Sequence, residues 1–182
     1  NAKLGQLRSA ILTFVPHPKV YFKKTNTNFN IMINDDKKKL LNLLGVENYI
    51  EYKFNKSLSS LDPKKFIEKI LVQQLHIKKI VVGKDFRFGK DRAGDTTLLK
   101  KLSNKFGYKL SIIGDVKSKK TNTKFSSSTI RRNIHQGSFE KVSQALGRDW
   151  FMEGKIIKGN QKARLINFPT ANMKPRNHIL PK

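Results

Sequence analysis

With 182 residues and 37% apolar side chains, the chain has material for one domain, or for one domain and part of a second. It has no cysteine, which excludes disulfides, thiolate metal sites and a cysteine nucleophile, and no apolar run near the roughly 18 residues of a membrane span. The formal charge is +25, from 38 Lys and Arg against 13 Asp and Glu, and it admits a polyanionic partner or merely lysine-rich solvated faces. The cations are scattered in ones, twos and threes with no basic arm, which favours solvated faces; steering of a small anionic substrate fits both readings. The opening Asn1-Ala2-Lys3-Leu4-Gly5 has no apolar leader and no initiator Met, so a fragment is expected, with the cytoplasm as its default location and no membrane partner.

In chain order, Ala10-Ile11-Leu12-Thr13-Phe14-Val15 reads as a buried strand stopped by the breaker Pro16-His17-Pro18. Leu40, Leu41, Leu43 and Leu44 give a short helical apolar face ended by Gly45, and Tyr49 to Phe54 alternates like a strand. Asp62 offers an N-cap and Pro63 an N1 residue for a helix striped by Phe66, Ile67, Ile70, Leu71 and Leu75. Lys79-Ile80-Val81-Val82 is the next strand. Asp95 caps a helix carrying Leu98, Leu99, Leu102 and Phe106, which Gly107 closes before a strand from Tyr108 to Ile113. Strands alternating with helices of this length predict a parallel sheet in an open, doubly wound α/β domain, with ligands beyond the carboxyl ends of the strands. After Gly147 the chain loses its helical stripes, and pieces such as Gly154 to Lys158 read as strands. A β-rich second domain is expected to begin near residue 149, too short here to enclose its own core.

Four stretches carry candidate chemistry. His17, between two prolines at a strand end, suits a donor to phosphate or equally a plain turn histidine. The loop VVGKDFRFGKDRAGD, residues 81 to 95, sets Phe86 and Phe88 among charges. Its glycines at 83, 89 and 94 permit close backbone approach to a ligand, its phenylalanines offer apolar walls, and Arg87 and Arg92 offer phosphate contacts; the other reading is a surface loop that tucks its phenylalanines beneath it. In KFSSSTIRRNIHQG, residues 124 to 137, Ser126 or Ser127 caps a helix, and the N–H groups, hydroxyls and Arg131 or Arg132 together make an anion cradle. In NFPTAN, residues 167 to 172, Thr170 and Asn172 present two hard oxygens two residues apart, either a polar turn or ligands for Mg²⁺ carrying a nucleotide phosphate.

Taken together, TFVPHP, VGKDFRFGKDRAGD, FSSSTIR and GKIIKGNQKARLINFPTAN resemble, in this order, the motifs of the bacterial bifunctional riboflavin kinase/FMN adenylyltransferases, also called FAD synthetases. The resemblance implies a Rossmann-like nucleotidyltransferase domain over residues 1–148, lacking its N-terminal part, and the beginning of a riboflavin kinase β-barrel over residues 149–182. It implies FMN and ATP giving FAD and pyrophosphate, riboflavin phosphorylated by Mg-ATP, and no protein nucleophile. His17 and Arg131 would be the catalytic residues, and His17, Pro18, Arg92, Ser126, Ser127 and Arg131 would bind ATP. Asp85, Phe86, Arg87, Phe88 and Gly89 would form the flavin and nucleotide loop. Thr170 and Asn172 would meet Mg²⁺ and ATP in the kinase part. The family motif G-x-F-D-G-x-H-x-G-H is absent, Ala163 and Asn167 stand for two glycines, and Ser128 stands for the usual Thr. The parent protein is therefore expected to make FAD and the fragment to have little or no activity. The alternatives are a nucleotidyltransferase acting on another phosphate-bearing acceptor and a basic nucleic-acid-binding protein. The second lacks a basic helix or aromatic RNA-binding strand, so nucleotides and flavins, not nucleic acid, are the expected partners; oligomeric state is not readable.

Overall fold

Ala10–Val15 is extended as its β-branched and aromatic residues require, and this strand, β1, runs parallel to β2, Asn48–Lys53, with Ala10 opposite Asn48 and Val15 opposite Lys53. A second parallel pair joins β3, Lys79–Gly83, to β4, Lys109–Ile113. The computed structural model describes residues 2, 5–23, 29–118, 122–159, 167, 170–176 and 178–182. Contacts divide these into two compact units, residues 1–25 with 45–124, and residues 26–44 with 125–182.

The first unit holds both parallel pairs and is mixed α/β. One continuous sheet was expected; among the described residues the two pairs are separate, and a cavity of about 780 Å³ lies where β1 and β3 line it. The helices are set by local chemistry. Asp62 accepts from the Lys64 and Lys65 N–H groups at 2.9 and 3.2 Å, with Pro63 at N1, and so starts α4, Pro63–Lys65. That turn continues as a more widely wound stretch, Phe66–Gln74, marked at its end by the Leu75 N–H on the Ile70 carbonyl at 3.0 Å. Asp95 accepts from Leu98 N–H at 2.9 Å to start α5, Thr96–Phe106, which Gly107 ends in the left-handed region. Two short helices were not anticipated: α1, Pro18–Lys23, and α3, Lys56–Ser59, the latter capped by Asn55. The core comes from helices and loops: Leu58, Phe66, Ile67, Ile70, Leu71, Phe88, Leu99, Leu102 and Tyr108. Full burial of Ile67 or Leu99 contributes about 1.5–3 kcal/mol each. The Tyr108 hydroxyl donates to the Leu99 carbonyl at 2.6 Å, tying α5 to the start of β4, and burial raises its pKa.

The second unit contains α2, Asn34–Leu43, α6, Ser127–His135, and α7, Phe139–Leu146, with an antiparallel pair of β5, Gly154–Ile157, and β6, Asn172–Pro175. Ile130, Ile134, Val142 and Ile179 form its core, and Trp150 packs on them while donating from Nε1 to the Ile31 carbonyl at 2.8 Å. The leucine face read from α2 is not its buried face: Leu43 and Leu44 are 83% and 71% exposed, because the helix is anchored by its first turn, where Ile33 and Asp36 are buried. Gly45 does end that helix, at φ 78.

Candidate functional site

The loop that leaves β3 is folded on itself. Phe88 and Gly94 exchange two backbone hydrogen bonds, 3.1 and 2.9 Å, so residues 89 to 93 form a closed turn, held from outside by the Lys90 N–H on the Leu61 carbonyl at 2.8 Å. Phe88 is 7% exposed and belongs to the core, 5.6 Å from the Phe66 ring and stacked 5.5 Å from half-buried Phe86. Gly94 is required by this packing. A Cβ there would lie 2.7 Å from two Phe88 ring carbons. The glycines expected to admit a ligand are thus partly used within the protein: Gly94 against Phe88, Gly89 against Pro63, whereas Gly83 has open space around it. Of the two phenylalanines, Phe88 faces inward and Phe86 lies half-covered beside it.

The charges of the loop face the other way. Arg87 Nη1 meets Asp95 Oδ2 at 3.3 Å while Asp95 Oδ1 caps α5, so one carboxylate serves the arginine and the helix. Asp91 and Arg92 are exposed and adopt φ of 52° and 59° in succession. Non-glycine residues in that region cost on the order of 1–3 kcal/mol each, and such strain gathers at binding sites. Nothing in the sequence signals it.

Asp85 belongs to a cluster that sequence reading missed. Lys124 Nζ lies 2.5 Å from Asp85 Oδ2 and 2.7 Å from Asp115 Oδ1, and Lys84 Nζ is 2.7 Å from Asp115 Oδ2. Lys124, first, and Lys84, second, hold the Asp115 carboxyl below the ordinary carboxylate range; Asp115 and then Asp85 hold Lys124 above the ordinary lysine value. The cluster joins three separate segments, Lys84 with Asp85, Asp115 and Lys124, so no local spacing could have revealed it.

His17 sits at the carboxyl end of β1, beyond a cis Val15–Pro16 bond. Its Nδ1 accepts from Lys19 N–H at 3.1 Å and its carbonyl accepts from Val20 and Tyr21, making it the N-cap of α1, with Pro18 at the first helical position. A neutral ring that accepts at Nδ1 carries its proton on Nε2, which makes that atom the donor.

In the second unit Ser126, not Ser127, caps α6, accepting from Thr129 N–H at 3.1 Å and donating to Thr129 Oγ1 at 2.9 Å. Ser127 and Ser128 are exposed on the first turn, whose free N–H groups favour an anion. Arg131 is half-buried: its Nε donates to the Phe29 carbonyl at 2.9 Å and its guanidinium lies 3.7 Å from the Phe29 ring centroid. Burial lowers its pKa. Arg132 is exposed. Thr170 and Asn172 are exposed, Asn172 opening β6 opposite Ile157, and the Asn172 side chain lies directly against Gly159, where any Cβ would collide with it. Asn167 stands at φ 56, in the left-handed region. Phe168, Pro169 and Ala163 lie outside the described residues. Among the described residues no three His, Asp or Glu side chains gather to hold a metal, and no helix is long and apolar enough to cross a membrane.

Parallel strand pairs with interleaved helices, and loops bearing cations and glycines at the strand ends, put the first unit among the parallel α/β proteins. Comparison with known proteins narrows this. The chain belongs to the FAD synthetase family, whose model matches residues 1–129, and a riboflavin kinase model matches residues 146–182. It is 37% identical over 174 residues to the bifunctional riboflavin kinase/FMN adenylyltransferase of Buchnera aphidicola from Acyrthosiphon pisum, covering 94% of this chain and 55% of that protein. The protein of the same name from Listeria monocytogenes is 33% identical over 178 residues, 97% of this chain and 55% of its own length. The chain thus spans about half the length of these relatives. A crystal structure described as the macrolide-efflux protein from Streptococcus pneumoniae superimposes with a TM-score of 0.83 at 27% identity, over 99% of this chain and 58% of the other.

Proposed function

We propose that the protein carrying this chain makes FMN and FAD: one part phosphorylates riboflavin with ATP, and the other joins FMN to the adenylyl group of ATP with release of pyrophosphate. The observation that carries this is the succession of two family matches, FAD synthetase then riboflavin kinase, along one chain. We place the adenylyltransferase part in residues 1–148 and the beginning of a kinase β-barrel in residues 149–182, acting in the cytoplasm.

In the adenylyl transfer a phosphate oxygen of FMN attacks the α-phosphorus of ATP, the bond to the bridging oxygen breaks, and pyrophosphate leaves with its charge. The chain's part is positioning and charge neutralisation. His17 offers its Nε2 proton to the phosphates, with Pro18 fixing the turn. Ser126 and Ser127 present the amino end of α6 to the triphosphate, and Arg131 adds a delocalised cation whose orientation Phe29 already sets. Asp85, Phe86, Arg87, Phe88, Gly89 and Arg92 form the flavin and nucleotide loop. Phe88 supports it from the core, Phe86 keeps part of its ring uncovered, and Asp85, Arg87 and Arg92 are exposed; the left-handed backbone at Arg92 supports a binding role.

In the kinase part, Thr170 and Asn172 would hold Mg²⁺. They bring two neutral oxygens and no carboxylate, which fits a metal that arrives on ATP phosphates and not one bound by the protein alone. Such an ion would neutralise charge on the transferred phosphoryl group.

The test is FAD formation from FMN and Mg-ATP by the full-length protein; no FAD overturns the assignment. Within an active enzyme, Arg131→Ala should raise the KM for ATP about tenfold or more, the loss expected for a charged hydrogen bond, and change the KM for FMN less. An unchanged ATP dependence would contradict the phosphate role of Arg131.

A further inference from the structure

The loop from Lys84 to Asp95 is anchored unevenly. Its far part is held by the core, through Phe88 on Phe66 and the paired backbones of Phe88 and Gly94. Its root lacks that cover. Lys84, Asp85 and Arg87 are exposed, and the backbone is tied by the Lys84 N–H on the Ile113 carbonyl at 3.0 Å and the Phe86 N–H on the Gly83 carbonyl at 3.1 Å. The remaining hold on the root is ionic. Because β3 and β4 run parallel, Gly83 and Ile113 end side by side, and Asp115 follows two residues beyond. Its carboxylate engages a lysine with each oxygen, Lys124 through Oδ1 and Lys84 through Oδ2, both at 2.7 Å, and Lys124 reaches on to Asp85 at 2.5 Å. Asp115 is the most enclosed of the four, its side chain 18% exposed against 44% or more for the others. Lys124 is no free arm either: its backbone bridges to Lys117, two residues beyond Asp115. An exposed ion pair contributes little alone. A carboxylate with both oxygens engaged is fixed in orientation, however, and Lys124 passes that orientation to Asp85. The lowered Asp115 pKa and the raised Lys124 pKa agree with this sharing.

We propose that Asp115 is a positioning residue for flavin binding: as hub of this cluster it fixes Asp85, and with it the direction in which Phe86 and Arg87 leave the strand. This rests on the reading of the loop as flavin- and nucleotide-facing. Asp115 touches no substrate and acts through Lys124 and Asp85. Without its charge, Lys84 and Lys124 face each other with Asp85 alone between them, and like charges at that range repel. Lys84 then turns to solvent, Lys124 keeps one tie to an exposed carboxylate, and the root loses its link to the end of β4.

The test compares Asp115→Asn with Asp115→Glu in the full-length protein. Without ligands, amide exchange at Lys84 and Phe86 should quicken about threefold to fivefold in Asp115→Asn, the upper part of the range for an exposed pair. Exchange at Phe88 and Gly94 and the melting temperature should hold. In FAD formation the same variant should raise the KM for FMN by a similar factor and change kcat and the KM for ATP less. Asp115→Glu, which keeps the charge, should restore both readouts. Lys84→Gln, which spares the connection from Asp85 through Lys124 to Asp115, should leave the KM for FMN as it was. Unchanged exchange in Asp115→Asn overturns the proposal whatever the loop binds, as does quickened exchange with an unmoved KM for FMN in an enzyme that makes FAD. Equal losses in the Asn and Glu variants, with a lower melting temperature, overturn it in favour of a purely structural carboxylate. A full-length protein that makes no FAD overturns the flavin role together with the function proposed above, while the exchange still reads the hold of Asp115 on the loop; the two failures are thereby told apart.

Discussion

Gly94→Ala is the sharpest probe of how the loop after β3 is built. The added Cβ would stand 2.7 Å from two Phe88 ring carbons and 2.9 Å from a third, about 1 Å inside the ordinary contact distance of roughly 3.5–4.0 Å. The ring has little room to yield, because Phe66 and Phe86 hold it at 5.6 and 5.5 Å and the Phe88–Gly94 backbone bonds fix its Cα. Overpacking of this kind costs about 1–3 kcal/mol. Gly83→Ala is the matched control: nothing lies within 4 Å of its Cβ position, so reduced freedom of the unfolded chain should leave it neutral or about 0.4–1 kcal/mol more stable. Urea unfolding of the two variants, followed by far-ultraviolet circular dichroism, reads the difference. Phe88→Leu in the Gly94→Ala background should recover part of the loss, a coupling of at least about 0.5 kcal/mol. Equal stabilities for Gly94→Ala and Gly83→Ala would refute the reasoning.

Three further outcomes are expected. Carboxyl NMR should give Asp115 a midpoint below about 3.9, and Lys124→Gln should move it upward more than Lys84→Gln does. By linkage, the Asp115 contribution to stability is present above about pH 3.9 and is lost as pH falls through its lower folded value; the Lys124 contribution is present below about pH 10.4 and is lost as pH rises through its raised value. Arg131→Lys should lower stability by about 1–3 kcal/mol in thermal melts, because an ammonium cannot keep both the bond to the Phe29 carbonyl and the stack on its ring. Asn167→Gly should be tolerated, whereas Asn167→Val should cost about 1–2 kcal/mol, since a β-branched residue resists the observed φ of 56; equal melting temperatures would contradict this.

The features legible in the sequence were those fixed by neighbours in the chain. Asp62, Asp95 and Ser126 cap as their local patterns require, and Gly107 ends α5 in the left-handed turn expected of it. Helix α1 was missed because Pro16-His17-Pro18 reads as a breaker, although Pro18 also suits the first position of a helix. Helix α7 was missed although Phe139, Val142 and Leu146 carry a helical spacing. What stayed hidden depends on distant partners. Burial of Phe88 is decided by Phe66, more than twenty positions earlier, and the Asp85–Lys124–Asp115 cluster is assembled from three separate segments. The leucines of α2 show the converse: their spacing is helical, but spacing alone does not say which turn the fold will cover.

The two-sidedness of the loop from Lys84 to Asp95 has a genetic consequence. Phe88 and Gly94 answer to folding, Phe86 and Arg92 to whatever the loop meets, and the two sets alternate along one short ribbon. Changes at Phe88 or Gly94 should therefore behave as conditional alleles, rescued by growth in the cold or by stabilising substitutions elsewhere. Changes at Arg92 should resist both remedies. A suppressor screen over these few codons would sort the ribbon into its two faces without any structure at all.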